Sequence, residues 1–343
     1  VTENAFTIGI AGTHGKTTTN SMTAHILRHT GYGCNAFLGG IASNYGTNFW
    51  SDEKNVVVVE ADEYDRSFLK LSPNIAVVTA VDPDHLDIYG DGDSVLESFQ
   101  LFVNQIKADG FFIQKKGLTL HSEIGDATFG IDKGDFQAHN IRIENHRMIF
   151  DMKYPGGEVK DIPMRIPGFH NIENALAAAA LAMQVGVTGE EIKVGISSFL
   201  GVKRRFEYHV ESADHVMIDD YAHHPTEIAA CLNSVRALYP GEKITAVFQP
   251  HLFSRTRDFI DDFAKSLAIA DELYLLDIYP ARELPMEGVT SDWLLSKIEL
   301  ENKQVISKVD LLQVIDQKKP ALLVTMGAGD IDLLLNDLKL SLS

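Results

Sequence analysis

Three stretches among the first eighty-odd residues are almost continuously apolar and β-branched: "FTIGI" at 6–10, "VVVV" at 56–59 and "IAVVTAV" at 75–81. Such runs lack the polar alternation of a half-exposed strand and predict strands covered on both faces. After the first, a helix is predicted through about residue 29, with Met22 and Ile26 one turn apart and Gly31 as its stop. Strands alternating with helices predict a parallel sheet with helices on its faces. From 110 to 166 the texture changes: "GFFIQ", "GLTLHS", "ATFGI", "HNIRIENHRMIFDM" and "VKDIPMRI" are short runs split by "KKG", "DKGD" and "YPGG". That pattern predicts an antiparallel β section. An alanine-rich helix is predicted from about Ile172 to Gln184. After "GVKRRFEYHV" a second α/β pattern begins, with apolar runs at 215–219, 244–249, 272–278 and 321–327. The boundary is placed near residue 205, giving domains 1–205 and 206–343.

Composition narrows the partners. A formal charge of −18 over 343 residues argues against nucleic acid, whose phosphates need a basic face. Any anionic ligand must then be held by local positive clusters. The longest apolar run, "ALAAAALAM" at 175–183, is half of the roughly 18 residues a membrane span needs, so no membrane partner is expected. Cys34 and Cys231 offer neither a disulfide framework nor a metal spacing. The opening "VTENAFTIGIAG" lacks the basic start of a signal peptide. A cytoplasmic protein is the expectation.

The chemistry begins at "AGTHGKTTTN", residues 11–20. A strand, a glycine-rich turn and a helix together aim backbone N–H groups and a helix N-terminus at an anion. Gly12 and Gly15 allow close approach of the backbone, Lys16 reaches β- and γ-phosphates, and the Thr17 hydroxyl is placed to ligate Mg²⁺. One glycine of the usual phosphate-loop pattern is replaced by Ile10. A tight strand–helix turn with a solvated lysine is the competing reading.

In an open parallel sheet ligands bind beyond the carboxyl ends of the strands. The next two apolar runs put acids there: Glu60, Asp62, Glu63 and Asp65 in "VVVVEADEYD", then Asp82, Asp84, His85 and Asp87 in "IAVVTAVDPDHLD". Magnesium takes oxygen ligands, commonly one or two carboxylates beside substrate phosphates. Glu60, ending a buried strand, suits that role. His85 is either a second metal ligand or structural, and the later acids are either site residues or a solubilising loop.

The motifs "GTHGKTTT", "EADEYD", "DPDHLD", "GFHNIENALAA", "RRFE", "DDYAHHPTE" and "QPHLFSRTRDF" occur in the order seen in the Mur ligases, and the chain resembles that family over nearly its whole length. The family's phosphate loop also lacks the glycine replaced here by Ile10. The resemblance implies an α/β fold: a P-loop-type central domain with a mostly parallel sheet and a small antiparallel section, followed by a Rossmann-like C-terminal domain. It implies an ATP-dependent, ADP-forming carboxylate–amine ligase of peptidoglycan precursor synthesis, with ATP and Mg²⁺ as cofactors. The histidine of "GTHGKT" and the "DDYAHHPTE" stretch look most like members that join L-alanine to UDP-N-acetylmuramate.

Roles carry over position by position. Gly12, Thr13, His14, Gly15, Lys16, Thr17 and Thr18 would hold ATP phosphates, with Thr17 and Glu60 on one Mg²⁺ and His85 on a second. Asn171 and Asn174 would face adenine; their spacing of three permits one helix face, though Asn171 also suits a helix cap. Arg205 would reach developing phosphate charge, unless it is a solvated basic hinge. Asp220 would take the ribose hydroxyls. Tyr221, His223 and the adjacent His224 would lie near the amino acid, and Arg255 and Arg257 would grip its carboxylate. Asn48 resembles a position near the acyl phosphate. Other members carry a modified lysine where this chain has Gln100, so none is assigned, and "TMGAGDID" at 325–332 reads as a structural turn. The family's N-terminal UDP-binding domain is not among these residues. A ligase that reattaches a murein tripeptide, and a nucleotide-binding module without turnover, are the alternatives.

Overall fold

In the computed structural model the chain divides into two compact units, Val1–Lys203 and Arg204–Ser343. Residues 2, 4–82 and 92–342 are described. His85, Asp84 and Asp87 lie outside the described residues, as does the Asp65 side chain.

The first unit is built on a ten-stranded sheet. Its strands are β1 Phe6–Ala11, β2 Asn35–Ala42, β3 Thr47–Trp50, β4 Val56–Glu60, β5 Ile75–Val78, β6 Phe111–Lys115, β7 Gly125–Ile131, β8 Phe136–Glu144, β9 Arg147–Tyr154 and β10 Gly157–Met164. Their order is β10-β9-β8-β7-β6-β5-β1-β4-β2-β3. The three predicted apolar runs are its centre: β1 pairs in parallel with both β4 and β5. These strands are buried nearly throughout, as their lack of alternation requires.

The expected antiparallel section needs correction. Strands β6 and β7 extend the parallel run, and β8 still pairs with β7 in parallel over Phe136–Ala138. Only β8, β9 and β10 form an antiparallel meander. The "GLTLHS" segment is not a strand. A helix explains the direction of β6: α2, Gly92–Val103, lies between β5 and β6 and supplies the crossover that parallel pairing needs. Its Phe99 and Phe102 stand 5.3 and 5.2 Å from Phe68, all three rings buried.

Two further helices pack on this sheet together with α1, Lys16–His29: α3, Phe169–Gln184, and α4, Gly189–Ser198. Helix α3 starts three residues before the expected Ile172, capped by Gly168 at φ 108°. Its alanines Ala175, Ala178, Ala179 and Ala182 are fully buried; their small side chains let α1 lie close against α3. Strands β2 and β3 escape sequence reading because two glycines break the apolar run. A Cβ on Gly39 would collide with the Glu60 carboxylate, and one on Gly40 with Val202.

The second unit holds six strands, β11 Glu207–Glu211, β12 Val216–Asp220, β13 Ile244–Phe248, β14 Glu272–Leu275, β15 Lys303–Val305 and β16 Leu322–Met326, in the order β11-β12-β16-β13-β14-β15. Only β11 is antiparallel to its neighbour. The order β15-β14-β13-β16 is that of a Rossmann half sheet, with β12 placed beyond β16. Helix α5, Pro225–Leu238, follows β12. The core gathers Met217, Val247, Tyr274, Leu311, Ile315 and Leu323.

Candidate active site

The turn from β1 into α1 is shaped by two glycines in conformations other residues avoid. Gly12 has φ 136° and Gly15 φ 83°. A Cβ on Gly12 would strike the Thr79 hydroxyl, and one on Gly15 the Asn174 carboxamide oxygen. Neighbouring strands pin the loop: Thr13 N–H donates to Ala80 O at 3.0 Å, and Thr79 Oγ1 donates to His14 O at 2.5 Å. Asp82 N–H donates to Thr13 Oγ1 at 3.1 Å. Gly15 is the N-cap of α1 and no side chain caps it. The first-turn N–H groups, which have no intrahelical acceptor, therefore remain for a ligand.

Lys16 lies within this turn, its Nζ 2.8 Å from Gly12 O and 2.7 Å from Glu63 Oε1. Thr17 Oγ1 donates to Glu60 Oε1 at 3.1 Å, and Gly39 N–H donates to Glu60 Oε2 at 3.1 Å. Burial raises the Glu60 carboxyl above the ordinary range against those donors and the Lys16 charge. A carboxylate and a hydroxyl form an oxygen-only donor pair, and a partly desolvated carboxylate gains from a cation. Both features fit Mg²⁺. Among the described residues no group of three or more His, Cys, Asp or Glu side chains is placed to hold a metal ion.

Helix α3 closes the turn from behind. Asn174 Oδ1 accepts from Thr19 Oγ1 at 3.2 Å, and Asn174 Nδ2 donates to Asn171 Oδ1 at 3.2 Å. Asn171 does not cap the helix; its Nδ2 donates to Pro167 O at 2.7 Å. The His14 ring is exposed, 3.7 Å from Asp82. Asn48 belongs to β3 and is exposed. Gln100 clasps the backbone of His121 through both its amide atoms.

In the second unit the sequence picked the exposed member of an arginine pair. Arg205 is exposed, whereas Arg204 binds the fully buried Asp219 at 3.2 Å and Gly327 O at 2.6 Å. Arg204 and Phe206 both take left-handed backbone angles, φ 60° and 50°. Asp220 fastens the same turn, accepting from Phe206 N–H and Ala222 N–H at 2.8 Å each. Enclosure pushes its carboxyl up to about 7 despite those donors. Gly327 of "TMGAGDID" belongs to this clamp through its carbonyl.

Beyond β12 and β13 a ring cluster forms. The His223 ring lies 5.2 Å from Tyr221 and 6.2 Å from His251, and His251 stacks on Tyr279 at 5.7 Å. Arg255 Nη1 is 3.4 Å from His251 Nδ1. Burial, then Arg255 and His223, lower the His251 pKa, so its neutral form is favoured. Arg257 is not part of this cluster: it pairs with Asp258 at the surface. His224 is spent as the N-cap of α5. Sequence reading missed Glu63 as the lysine's partner, Arg204 as the clamp, and His251, which stood unassigned within "QPHLF". No spacing rule marks any of the three.

This geometry defines a nucleotide-binding α/β protein with a phosphate loop at the carboxyl edge of its first sheet. The chain belongs to the Mur ligases: the Mur ligase middle domain matches residues 10–182, and the Mur ligase glutamate ligase domain matches residues 204–331. Mur ligases are ATP-dependent. The UDP-N-acetylmuramate–L-alanine ligase of Flavobacterium psychrophilum is 51% identical over 331 residues, which are 96% of this chain and 73% of that protein. The crystal structure of UDP-N-acetylmuramate–alanine ligase from Thermotoga maritima superimposes with a TM-score of 0.82 at 28% identity, covering 98% of this chain and 75% of that one. A murein peptide ligase from Psychrobacter arcticus gives 0.64 at 25% identity, over 98% of this chain and 78% of its own.

Proposed function

We infer that this chain carries the ATP and amino-acid sites of a ligase that joins L-alanine to UDP-N-acetylmuramate. The observation that carries the reading is the set Gly12–Gly15–Lys16–Thr17–Glu60, assembled at the carboxyl edge of β1 and β4. The L-alanine ligases among the relatives, at 51% identity, support the choice of substrates.

A carboxylate is a poor acyl donor. In this reading the muramate carboxylate takes the γ-phosphoryl group, ADP leaves, and the neutral amine of L-alanine displaces phosphate from the acyl phosphate. The protein's task is to offset charge on the moving phosphoryl group. The phosphates are assigned to the first-turn amides of α1 and Lys16, adenine to Asn171 and Asn174, and the ribose to Asp220. Arg205, which is exposed, is assigned to the γ-phosphoryl. Thr17 and Glu60 would hold Mg²⁺, with His85 for a second ion; such ions supply Lewis-acid neutralisation of phosphate charge. Tyr221, His223 and Arg255 would orient the amino acid, Arg255 pairing with its carboxylate and His223 beside its amine. Asn48 is assigned to the acyl-phosphate region and Arg257 to an outer contact. UDP recognition is assigned to a domain outside these residues, and the cytoplasm is the proposed compartment.

The test measures phosphate release from ATP by the chain, alone and with the N-terminal domain of a relative added, given UDP-N-acetylmuramate and either L-alanine or a murein tripeptide. Release that depends on L-alanine supports the reading. Release that depends on the tripeptide, or ATP binding without turnover in any combination, overturns it.

A further inference from the structure

An ammonium group has three protons to donate. Lys16 Nζ donates to Gly12 O at 2.8 Å and to Glu63 Oε1 at 2.7 Å, and Glu63 Oε2 lies 2.7 Å from the same nitrogen as an ion-pair contact. Glu63 is no surface acid that drifted near. Its residue is 1% exposed, and the Lys16 side chain is 14% exposed. The 3-10 turn Tyr64–Lys70 follows directly and anchors to the core through Phe68, whose N–H donates to Asp62 O at 2.9 Å. A buried carboxylate is costly without a counter-charge, and Lys16 supplies one to Glu63.

We propose that Glu63 is an exchangeable counter-ion for the phosphate-loop lysine: it pairs with Lys16, and incoming phosphate must take the ammonium from it. This rests on the nucleotide reading of the loop. Two effects follow, and they share a sign. Phosphate has to displace a carboxylate already hydrogen-bonded and ion-paired to the lysine, and it must approach a fixed negative charge. A ligand with one phosphate gains too little from the loop amides to pay for that exchange, whereas a di- or triphosphate recovers it over several contacts. Glu63 thereby selects for polyphosphates against the inorganic phosphate the reaction releases. It is a positioning residue, acting through Lys16.

The experiment is calorimetric titration of the chain with ADP and, separately, inorganic phosphate, both without metal, with thermal melting of the unliganded protein in parallel. Glu63→Gln is expected to bind ADP about tenfold tighter than the parent and to bring phosphate into measurable range, the scale of releasing one buried charge pair. In a Lys16→Ala background the same substitution is expected to give no gain. A purely structural role predicts the reverse, weaker binding with a lower melting temperature. Unchanged or weaker ADP binding by folded Glu63→Gln, or a gain that persists without Lys16, overturns the proposal. Glu63→Asp keeps the charge but shortens the reach; it serves if the glutamine variant does not fold, and a smaller tightening is expected. Equal or weaker binding there is refuting too. If the parent itself binds no ADP, the nucleotide reading is what fails.

Discussion

Replacing Gly15 by alanine tests whether loop and helix α3 are built as one piece. Gly15 sits at φ 83°, where a Cβ costs about 1–2 kcal/mol. That Cβ would also overlap Asn174 Oδ1, forcing the carboxamide away from Thr19 Oγ1 and Asn171, two buried bonds of 3.2 Å. Each is worth about 1 kcal/mol net, so the substitution should cost about 3–4 kcal/mol in all. On a unit of this size that lowers the melting temperature by about 10 °C. Asn174→Ala alone forfeits the same two bonds, about 2 kcal/mol, but it also clears the space. The double variant should therefore cost about 3–4 kcal/mol, the glycine's backbone term plus the bonds counted once, rather than the sum of about 5–6. Chemical denaturation of the four proteins closes the cycle. Additivity within about 0.5 kcal/mol would refute the idea that one carboxamide carries both effects.

Other outcomes follow from the same geometry. Lys16→Ala should cost on the order of 3–4 kcal/mol in transition-state stabilisation, the scale for one preorganised donor, and near-normal ATP turnover in the ligase assay would contradict it. Arg204→Ala leaves the buried Asp219 with Thr325 as its remaining side-chain donor and should destabilise the second unit by about 3–5 kcal/mol; Arg205→Ala should leave stability within about 0.5 kcal/mol, and denaturation midpoints decide both. His25 is buried against Tyr45 and Ser198 at 2.8 and 2.9 Å, and burial lowers its pKa from 6.5 to about 4. The unfolded chain thus binds a proton the folded one refuses. Stability should be full above pH 6.5 and fall by about 3 kcal/mol as pH drops toward 4. Denaturant midpoints across that range, compared with His25→Gln, read the loss, and the variant's profile should be flatter.

The chain's own pattern determined the elements whose physics is local. Buried parallel strands announce themselves because a strand covered on both faces cannot carry polar alternation, and β1, β4, β5, β12, β13, β14 and β16 were all legible on that ground. The loop was legible because backbone approach to an anion demands glycine, and Lys16 and Thr17 must follow at fixed spacing. What the tertiary structure alone decided is pairing across distance. Whether β6 and β7 run parallel depends on α2 lying between β5 and β6, not on their composition. Gly39 weakens β2 as a strand signal because its missing side chain makes room for Glu60, twenty-one residues on. Neither Arg204 nor Arg205 differs from its neighbour as a residue type; a left-handed turn and a buried Asp219 bury one and expose the other. Glu63 is one acid among several in "EADEYD" until the fold lays it against Lys16. Local spacing fixes which atoms a segment can offer, and only the packed chain fixes which of them meet.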